Sequence, residues 1–178
     1  MRIAIIGAPG SGKTTQSQLL AKSLNVPVIS IGEELREIAY GKGNDAKVVR
    51  EALAKGDLVL GEVVLSLLRR HLSDPQTQRG FILDGMPRTA REAQEVLQLF
   101  AFDRVFHLKV DSSTALERLL KRRREDDNPE VIAHRFEVYE QEEKAILELY
   151  RNLGILVEVD ASNPSVTAVQ REIIANLR

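Results

Sequence analysis

Gly7-Ala8-Pro9-Gly10-Ser11-Gly12-Lys13-Thr14 is the stretch that decides the fold, and it directly follows the apolar run at residues 3–6. It fits the pattern G-x-x-x-x-G-K-[ST] and lies between a predicted buried strand and a predicted helix, the context that this pattern requires. Its glycines let successive backbone N–H groups turn toward phosphate oxygens, and the following helix adds its positive N-terminal end. Lys13 can reach the β- and γ-phosphates, and Thr14 is placed to bind Mg²⁺. The stretch therefore predicts a nucleoside triphosphate site.

Composition excludes several classes of protein. The 178 residues are 43% hydrophobic, which suits one compact domain that folds without cross-links. The absence of cysteine excludes a disulfide framework, a thiolate zinc site and a cysteine nucleophile. A net charge of −1 and 4% aromatic residues leave little for nucleic-acid binding. The apolar runs are short, so we expect no signal peptide and no membrane span. We expect a cytoplasmic monomer whose partners are small anions.

The order of apolar and amphipathic segments predicts a parallel sheet covered by helices. The predicted strands are 3–7, 27–29, 80–83, 104–109 and 155–159. The predicted helices outside the central region are 13–24, 91–100, 114–123, 129–152 and 165–177. Residues 30–72 carry helical patterns broken by glycines and no convincing strand. We expect a helical insert there, placed between two strands and able to swing over a ligand.

Charged residues near the predicted carboxyl edge of the sheet are candidates for metal and phosphate binding. Asp84 ends a predicted strand, where it would hold Mg²⁺ directly or through water, or only cap the turn. Arg88 leaves the same strand end and suits bidentate contact with phosphate. The run at 121–124 is either a solvated helix face or part of the positive charge that phosphoryl transfer needs, which Arg135 could join.

The three histidines give no sign of a metal site. His71, His107 and His134 lack the spacing of metal ligands, and we interpret them as structural or surface residues. No Ser-His-Asp arrangement is evident from the sequence. The expected chemistry therefore rests on the phosphate loop, one strand-end carboxylate and several arginines.

Several motifs, in the expected order, resemble the nucleoside monophosphate kinase family, and within it the adenylate kinases most closely. GAPGSGKTTQ at 7–16 resembles the family's phosphate loop, and GFILDGMPRT at 80–89 is similar to its most recognisable signature. SIGEELR at 30–36 and GDLV at 56–59 resemble the start and the end of its monophosphate-binding insert. The residues that resemble its lid and the helix after it are Arg122, Arg124, Asp126, Asp127, Asn128 and Arg135.

The resemblance implies an α/β fold of the P-loop NTPase type, with a five-stranded parallel sheet sandwiched by helices. It implies one kinase domain over 1–178, a monophosphate-binding insert at 30–59 and a very short lid at 122–126, without zinc. The implied reaction moves the γ-phosphoryl group of Mg²⁺–ATP to a nucleoside monophosphate, AMP in the first place, giving two ADP. No strong general base is needed, because the acceptor is already an anion.

The resemblance also assigns roles to residues. The catalytic set would be Lys13, Arg88, Arg122, Arg124 and Arg135. ATP would be bound by Gly10, Ser11, Gly12, Lys13, Thr14, Thr15 and Arg122. Mg²⁺ would be organised by Thr14 and Asp84. The monophosphate would be bound by Ile31, Arg36, Asp57, Leu58, Val59, Gly85, Met86, Pro87, Arg88, Glu92, Arg124 and Arg135.

The chain departs from the adenylate kinase pattern at the positions that read the acceptor base. Ile31 stands where those enzymes have a threonine, and Glu92 where they have a glutamine. An ionised carboxylate offers only acceptors, which suit guanine or cytosine, whereas a buried and protonated one could still read adenine. Thr14 replaces a customary glycine, a change that should preserve or strengthen metal binding.

Three alternatives to an AMP kinase therefore stay open at the level of sequence. The first is a GMP, CMP or UMP kinase with the same fold and mechanism. The second is a nucleotide-binding regulatory protein that has lost transfer activity, which would not need the full set of arginines. The third is a small-molecule kinase such as a shikimate kinase, which shares the phosphate loop but does not explain GFILDGMPRT.

Overall fold

A computed structural model describes residues 1–122, 124, 128–163 and 165–177. Its five strands are β1 (Arg2–Gly7), β2 (Val28–Ile29), β3 (Phe81–Asp84), β4 (Arg104–Lys109) and β5 (Leu156–Asp160). They form one sheet in the order β2-β3-β1-β4-β5, and all neighbouring strands are parallel. The predicted five-stranded parallel sheet is confirmed, with every strand end within one residue of its predicted position.

Eight α-helices cover the sheet within the described residues. They are α1 (Lys13–Leu24), α2 (Ile31–Ala39), α3 (Asn44–Lys55), α4 (Gly61–Leu72), α5 (Ala90–Leu99), α6 (Ser112–Arg122), α7 (Pro129–Asn152) and α8 (Val166–Ala175). Helix α6 begins two residues before its predicted start because the Asp111 carboxylate accepts the Thr114 backbone N–H at 2.8 Å. Helix α8 is shorter than predicted at both ends, and the Ser165 hydroxyl caps it by accepting the Ala168 N–H.

The strands alternate between two apolar layers, as the period of two requires. Ile3, Ile5 and Ile82 pack in a cluster that also contains residues of α1 and α8. Ala4 and Leu83 point to the opposite face, where the larger cluster contains residues of α2 to α5 and α7. The sheet is therefore buried on both faces, and its carboxyl edge is the place left for a ligand.

The segment between β2 and β3 is helical, as predicted, and holds α2, α3 and α4 followed by a 3-10 helix at Pro75–Arg79. The predicted lid at 122–126 falls largely outside the described residues, which include only Arg122 and Arg124 from it. None of the described helices combines the length and apolar character that crossing a membrane requires.

Candidate active site

The loop between β1 and α1 is shaped by two close backbone approaches. A Cβ atom at Gly10, where φ is +82°, would lie 2.3 Å from the Ala115 carbonyl oxygen. A Cβ atom at Gly7, where φ is +144°, would lie 2.6 Å from the Leu108 carbonyl oxygen. Backbone cannot yield as a flexible side chain can, so both positions require glycine. The loop is thus seated against β4 and α6, with the N-terminus of α1 at the cavity.

Lys13 is held inside this loop. Its Nζ donates to the carbonyl oxygens of Gly7 at 2.8 Å and Ala8 at 2.7 Å. Removal from water lowers the pKa of Lys13 to about 8, and the Asp84 carboxylate opposes that change. The guanidinium groups that lower this pKa further belong to Arg88, Arg122 and Arg124. A polyphosphate bound here would supply the negative charge that stabilises the protonated form of Lys13.

Binding of Mg²⁺–ATP should therefore take up protons at about pH 9, where free Lys13 is largely neutral. The bound phosphates raise the pKa of the ammonium group, so the proton comes from solvent. Calorimetry in two buffers that differ in ionisation enthalpy measures the number of protons taken up. In Lys13→Arg the uptake should vanish because a guanidinium stays protonated throughout. Binding of ATP by the unchanged protein without proton uptake would contradict the expected coupling.

Asp84 lies at the carboxyl end of β3, beside the phosphate loop, and is 5% exposed. Its Oδ2 accepts from the Thr14 hydroxyl at 2.8 Å and from the Ser30 hydroxyl at 3.2 Å. Its Oδ1 is buried and has no hydrogen-bond partner among the described residues. An uncompensated carboxylate oxygen is costly unless something binds it, and oxygen donors are those that Mg²⁺ prefers.

The pair Thr14 and Asp84 therefore fits Mg²⁺. Within the described residues, no group of three or more His, Asp or Glu side chains forms a complete metal cage. A Mg²⁺ at this pair would take its remaining ligands from phosphate and water, as is usual for this ion.

A cavity of about 600 Å³ opens beside the loop, at the carboxyl edge of the sheet. Six arginines line it: the five predicted from the sequence, Arg36, Arg88, Arg122, Arg124 and Arg135, together with Arg118. Arg88 Nε donates to the Gly85 carbonyl oxygen at 3.0 Å. A Cβ atom at Gly32 would lie 3.0 Å from Arg88 Nη2 and 3.7 Å from Arg36 Nη1, so these two guanidinium groups converge. This concentration of positive charge suits phosphate anions.

The sequence-predicted residues of the triphosphate and metal sites all line this cavity. They are Gly10, Ser11, Gly12, Lys13, Thr14, Thr15, Asp84 and Arg122. Most of the predicted monophosphate residues line it too, namely Arg36, Asp57, Leu58, Gly85, Pro87, Arg88, Arg124 and Arg135. The remaining four, Ile31, Val59, Met86 and Glu92, line a small adjoining pocket that shares Leu58, Gly85 and Arg88 with the cavity.

The adjoining pocket has a volume of about 10 Å³, which is room for roughly one water molecule. Its walls are apolar apart from Glu92 and Arg88, and Ile31 is 3% exposed. A nucleobase does not fit in this volume. Entry of a base therefore requires the insert helices to move away from the sheet.

Glu92 has a structural task that the sequence did not reveal. Its Oε2 accepts the Arg88 backbone N–H at 2.7 Å, and its own N–H donates to the Thr89 hydroxyl at 3.0 Å. These reciprocal contacts close the N-terminus of α5, much as a capping box does. Burial raises the pKa of Glu92, while the N–H groups of Arg88 and Thr89 oppose the rise. The Glu92 carboxylate is thus held to the backbone at the start of α5.

Comparison with known proteins identifies the family. Residues 5–155 match the family model Adenylate kinase. The chain belongs to the adenylate kinase family. It is 34% identical to an adenylate kinase of Thermobifida fusca, over 98% of this chain and 97% of the relative. It is 37% identical to one of Rhodopirellula baltica (92% and 88%) and 38% identical to one of Xanthomonas campestris pv. campestris (90% and 90%).

Family membership confirms the predicted fold class and the predicted class of enzyme, a nucleoside monophosphate kinase. It also supports ATP-to-AMP phosphoryl transfer as the activity. A small-molecule kinase of another family is excluded by the same match.

The predicted site residues do not cover one end of the cavity. It is lined by Gln16, Arg118, Leu119, Ala161, Asn163, Val166 and Val169. Gln16 Nε2 donates to the Val166 carbonyl oxygen at 3.0 Å, and Arg118 Nη2 donates to the Asn163 carbonyl oxygen at 3.4 Å. Arg118 lies one helical turn before Arg122, so the spacing along α6 could have revealed it.

Each histidine ring lies close to a carboxylate. His71 Nε2 lies 2.9 Å from Glu34 Oε2 and braces α4 against α2. His134 Nε2 lies 2.8 Å from Asp57 Oδ1, which joins α7 to the residues after α3. His107 is buried under α7.

Proposed function

We infer that this chain transfers the γ-phosphoryl group of Mg²⁺–ATP to AMP at the arginine-lined cavity, giving two ADP. The observation that carries the proposal is the convergence of the phosphate loop, Asp84 and six arginines, five of them predicted, on one space. Phosphoryl transfer between two phosphates depends on positioning and charge neutralisation, and the cavity supplies both. We also propose that the protein acts as a monomer in the cytoplasm.

On the donor side, we assign the loop amides and Lys13 to the ATP phosphates. Thr14 and Asp84 hold Mg²⁺, which neutralises charge on the β- and γ-phosphates when bound. Arg122, at the end of α6, faces the ATP phosphates. The end of the cavity near Asn163 is left for the donor base.

On the acceptor side, we assign Arg36 and Arg88 to the monophosphate, because their guanidinium groups meet beside Gly32. Arg124 and Arg135 neutralise the transferring group. A Cβ atom at Gly56 would lie 3.3 Å from Arg135 Cγ, so the end of α3 abuts the part of α7 that carries this arginine. The insert at 30–59 and the short lid at 122–126 are proposed as the parts that close.

AMP as acceptor follows from family membership together with the burial of Glu92. A protonated Glu92 carboxyl can donate to adenine N1. Burial raises the pKa of Glu92, while the backbone N–H groups of Arg88 and Thr89 oppose the rise. The ionised form accepts from the N1–H of guanine or an exocyclic amino group. A GMP, CMP or UMP kinase therefore stays the second candidate.

The test is the initial rate of diphosphate formation from Mg²⁺–ATP with AMP, GMP, CMP, UMP and dTMP in parallel, plus a blank without acceptor. We expect AMP to give the highest kcat/KM. Preference for another base would overturn the acceptor and keep the mechanism. ATP binding without any acceptor-dependent rate would favour the regulatory protein instead.

Glu92→Gln should raise the ratio of kcat/KM for AMP to that for GMP by about tenfold at neutral pH, the worth of one neutral hydrogen bond. The amide keeps an oxygen for the Arg88 N–H and presents both a donor and an acceptor, which match adenine. Glu95→Gln, on the same helix, is the control because Glu95 pairs with Arg91 at the surface. An unchanged ratio in Glu92→Gln would refute base reading at this position.

A further inference from the structure

The middle of α7, residues 133–145, lies over the cavity. Val131 and Ile132 anchor its first turn, and Ile146 and Tyr150 anchor its last turns. Every side chain from 133 to 145 is at least partly exposed. Val138, Tyr139 and Glu143 of this span line the cavity, and Ile146 and Leu147, just after it, do so as well. Arg135 lies within the span, so its position depends on what holds the middle of the helix to the sheet.

A chain of hydrogen bonds connects β4 to the middle of α7. His107 is 4% exposed, on the face of β4 that is turned to α7, and its Nε2 lies 3.0 Å from Tyr139 Oη. The Tyr139 hydroxyl donates to Glu143 Oε1 at 2.6 Å. His107 Nε2 also lies 3.0 Å from Glu143 Oε1. Because Tyr139 donates its own proton to Glu143, both oxygens beside Nε2 are acceptors, and an N–H at Nε2 satisfies them. Burial and the Glu143 charge raise the pKa of Tyr139, which keeps the donating hydroxyl protonated.

Packing alone does not account for His107. Its Nδ1 is buried without a hydrogen-bond partner among the described residues. The distance from this nitrogen to Glu158 Oε1 is 3.7 Å. Burial lowers the pKa of His107, while Glu143 and Glu158 oppose the change. An apolar side chain would fill the same place without an unpaired polar atom. What the imidazole adds over a leucine is a directed polar contact with the oxygens of Tyr139 and Glu143.

We propose that His107 is a positioning residue that acts through Tyr139 to fix the middle of α7 and aim Arg135 at the reacting phosphates. Tyr139 and Glu143 follow Arg135 at intervals of four, so all three side chains share one face of the helix. The inference rests on the proposed function, in which Arg135 neutralises the transferring group. It adds three residues that do not belong to the phosphate-binding set.

The test compares His107→Leu, His107→Gln, Tyr139→Phe and the double variant of His107→Leu with Tyr139→Phe. His107→Leu should melt no lower than the unchanged enzyme, yet lose kcat by about tenfold with both KM values nearly unchanged. His107→Gln should recover most of kcat because its amide N–H can donate to Tyr139. Tyr139→Phe should lose a similar factor, and the double variant should lose no more than either single one.

Hydrogen exchange gives a readout that does not depend on catalysis. His107→Leu should speed amide exchange over 137–145, whereas the control Glu140→Gln, on the exposed face of α7, should change neither exchange nor kcat. Unchanged kcat in both His107→Leu and Tyr139→Phe, or losses that multiply in the double variant, would overturn the proposal. Absence of any AMP-dependent rate in the unchanged enzyme would instead refute the proposed function. The hydrogen-exchange experiment would still test whether His107 holds the middle of α7.

Discussion

Arg88→Ala should lower kcat/KM for AMP by about 100- to 1,000-fold, the loss typical of removing one preorganised electrostatic group. The guanidinium is fixed before substrate arrives, since its Nε donates to the Gly85 carbonyl oxygen. The backbone of residue 88 keeps its contact with Glu92 in the variant, so the helix start is preserved. The loss therefore reports the guanidinium rather than the loop.

Initial rates with AMP varied at saturating Mg²⁺–ATP measure this effect. Arg91→Ala is the matched control because Arg91 lies three residues away and its guanidinium pairs with the Glu95 carboxylate at the surface. Arg88→Lys should recover little, since an ammonium group cannot make the bidentate contact. A loss smaller than about tenfold in Arg88→Ala would contradict the assigned role.

Asp84→Asn should lower kcat by about 100-fold and raise the Mg²⁺ concentration needed for half-maximal rate. The amide oxygen can still accept from Thr14, but the negative charge that would draw the metal is gone. Thermal stability without ligand should not fall, because a buried carboxylate with an unpartnered oxygen is removed. The Mg²⁺ titration separates a metal role from a capping role.

Asp103→Asn provides the control for this experiment. Its carboxylate accepts the Arg2 N–H at 2.6 Å, at the opposite edge of the same sheet, just before β4. We expect it to leave the Mg²⁺ requirement unchanged. If Asp84→Asn also kept both kcat and the Mg²⁺ midpoint, Asp84 would only cap the turn.

The sheet and the phosphate loop could be predicted from sequence because local patterns determine them. The glycines, Lys13 and Thr14 sit in one continuous stretch, and each strand is a short apolar run between turn signals. The proximity of Asp84 and Arg88 was predictable from the carboxyl edge of a parallel sheet, where both emerge from one strand end. The resemblance, rather than a local pattern, assigned Arg36 and Arg122 to the same site.

The contacts that tune the site could not be predicted in the same way. The resemblance predicts that the Glu92 side chain faces a base. In the structure one of its oxygens accepts the Arg88 N–H, and this contact depends on how the loop before α5 turns. His107 looked merely structural because its partner Tyr139 is 32 residues away. Such pairings follow from how elements pack, and a single sequence carries no record of them.

The central claim is that the γ-phosphoryl group passes directly from ATP to AMP within this cavity. A single turnover with Mg²⁺–ATP labelled in the γ-phosphate, mixed with unlabelled AMP, tests it most directly. The account predicts that the label arrives in the β-phosphate of ADP at the rate at which ATP is consumed. Label released as inorganic phosphate, or retained in bound ATP while AMP is present, would contradict it.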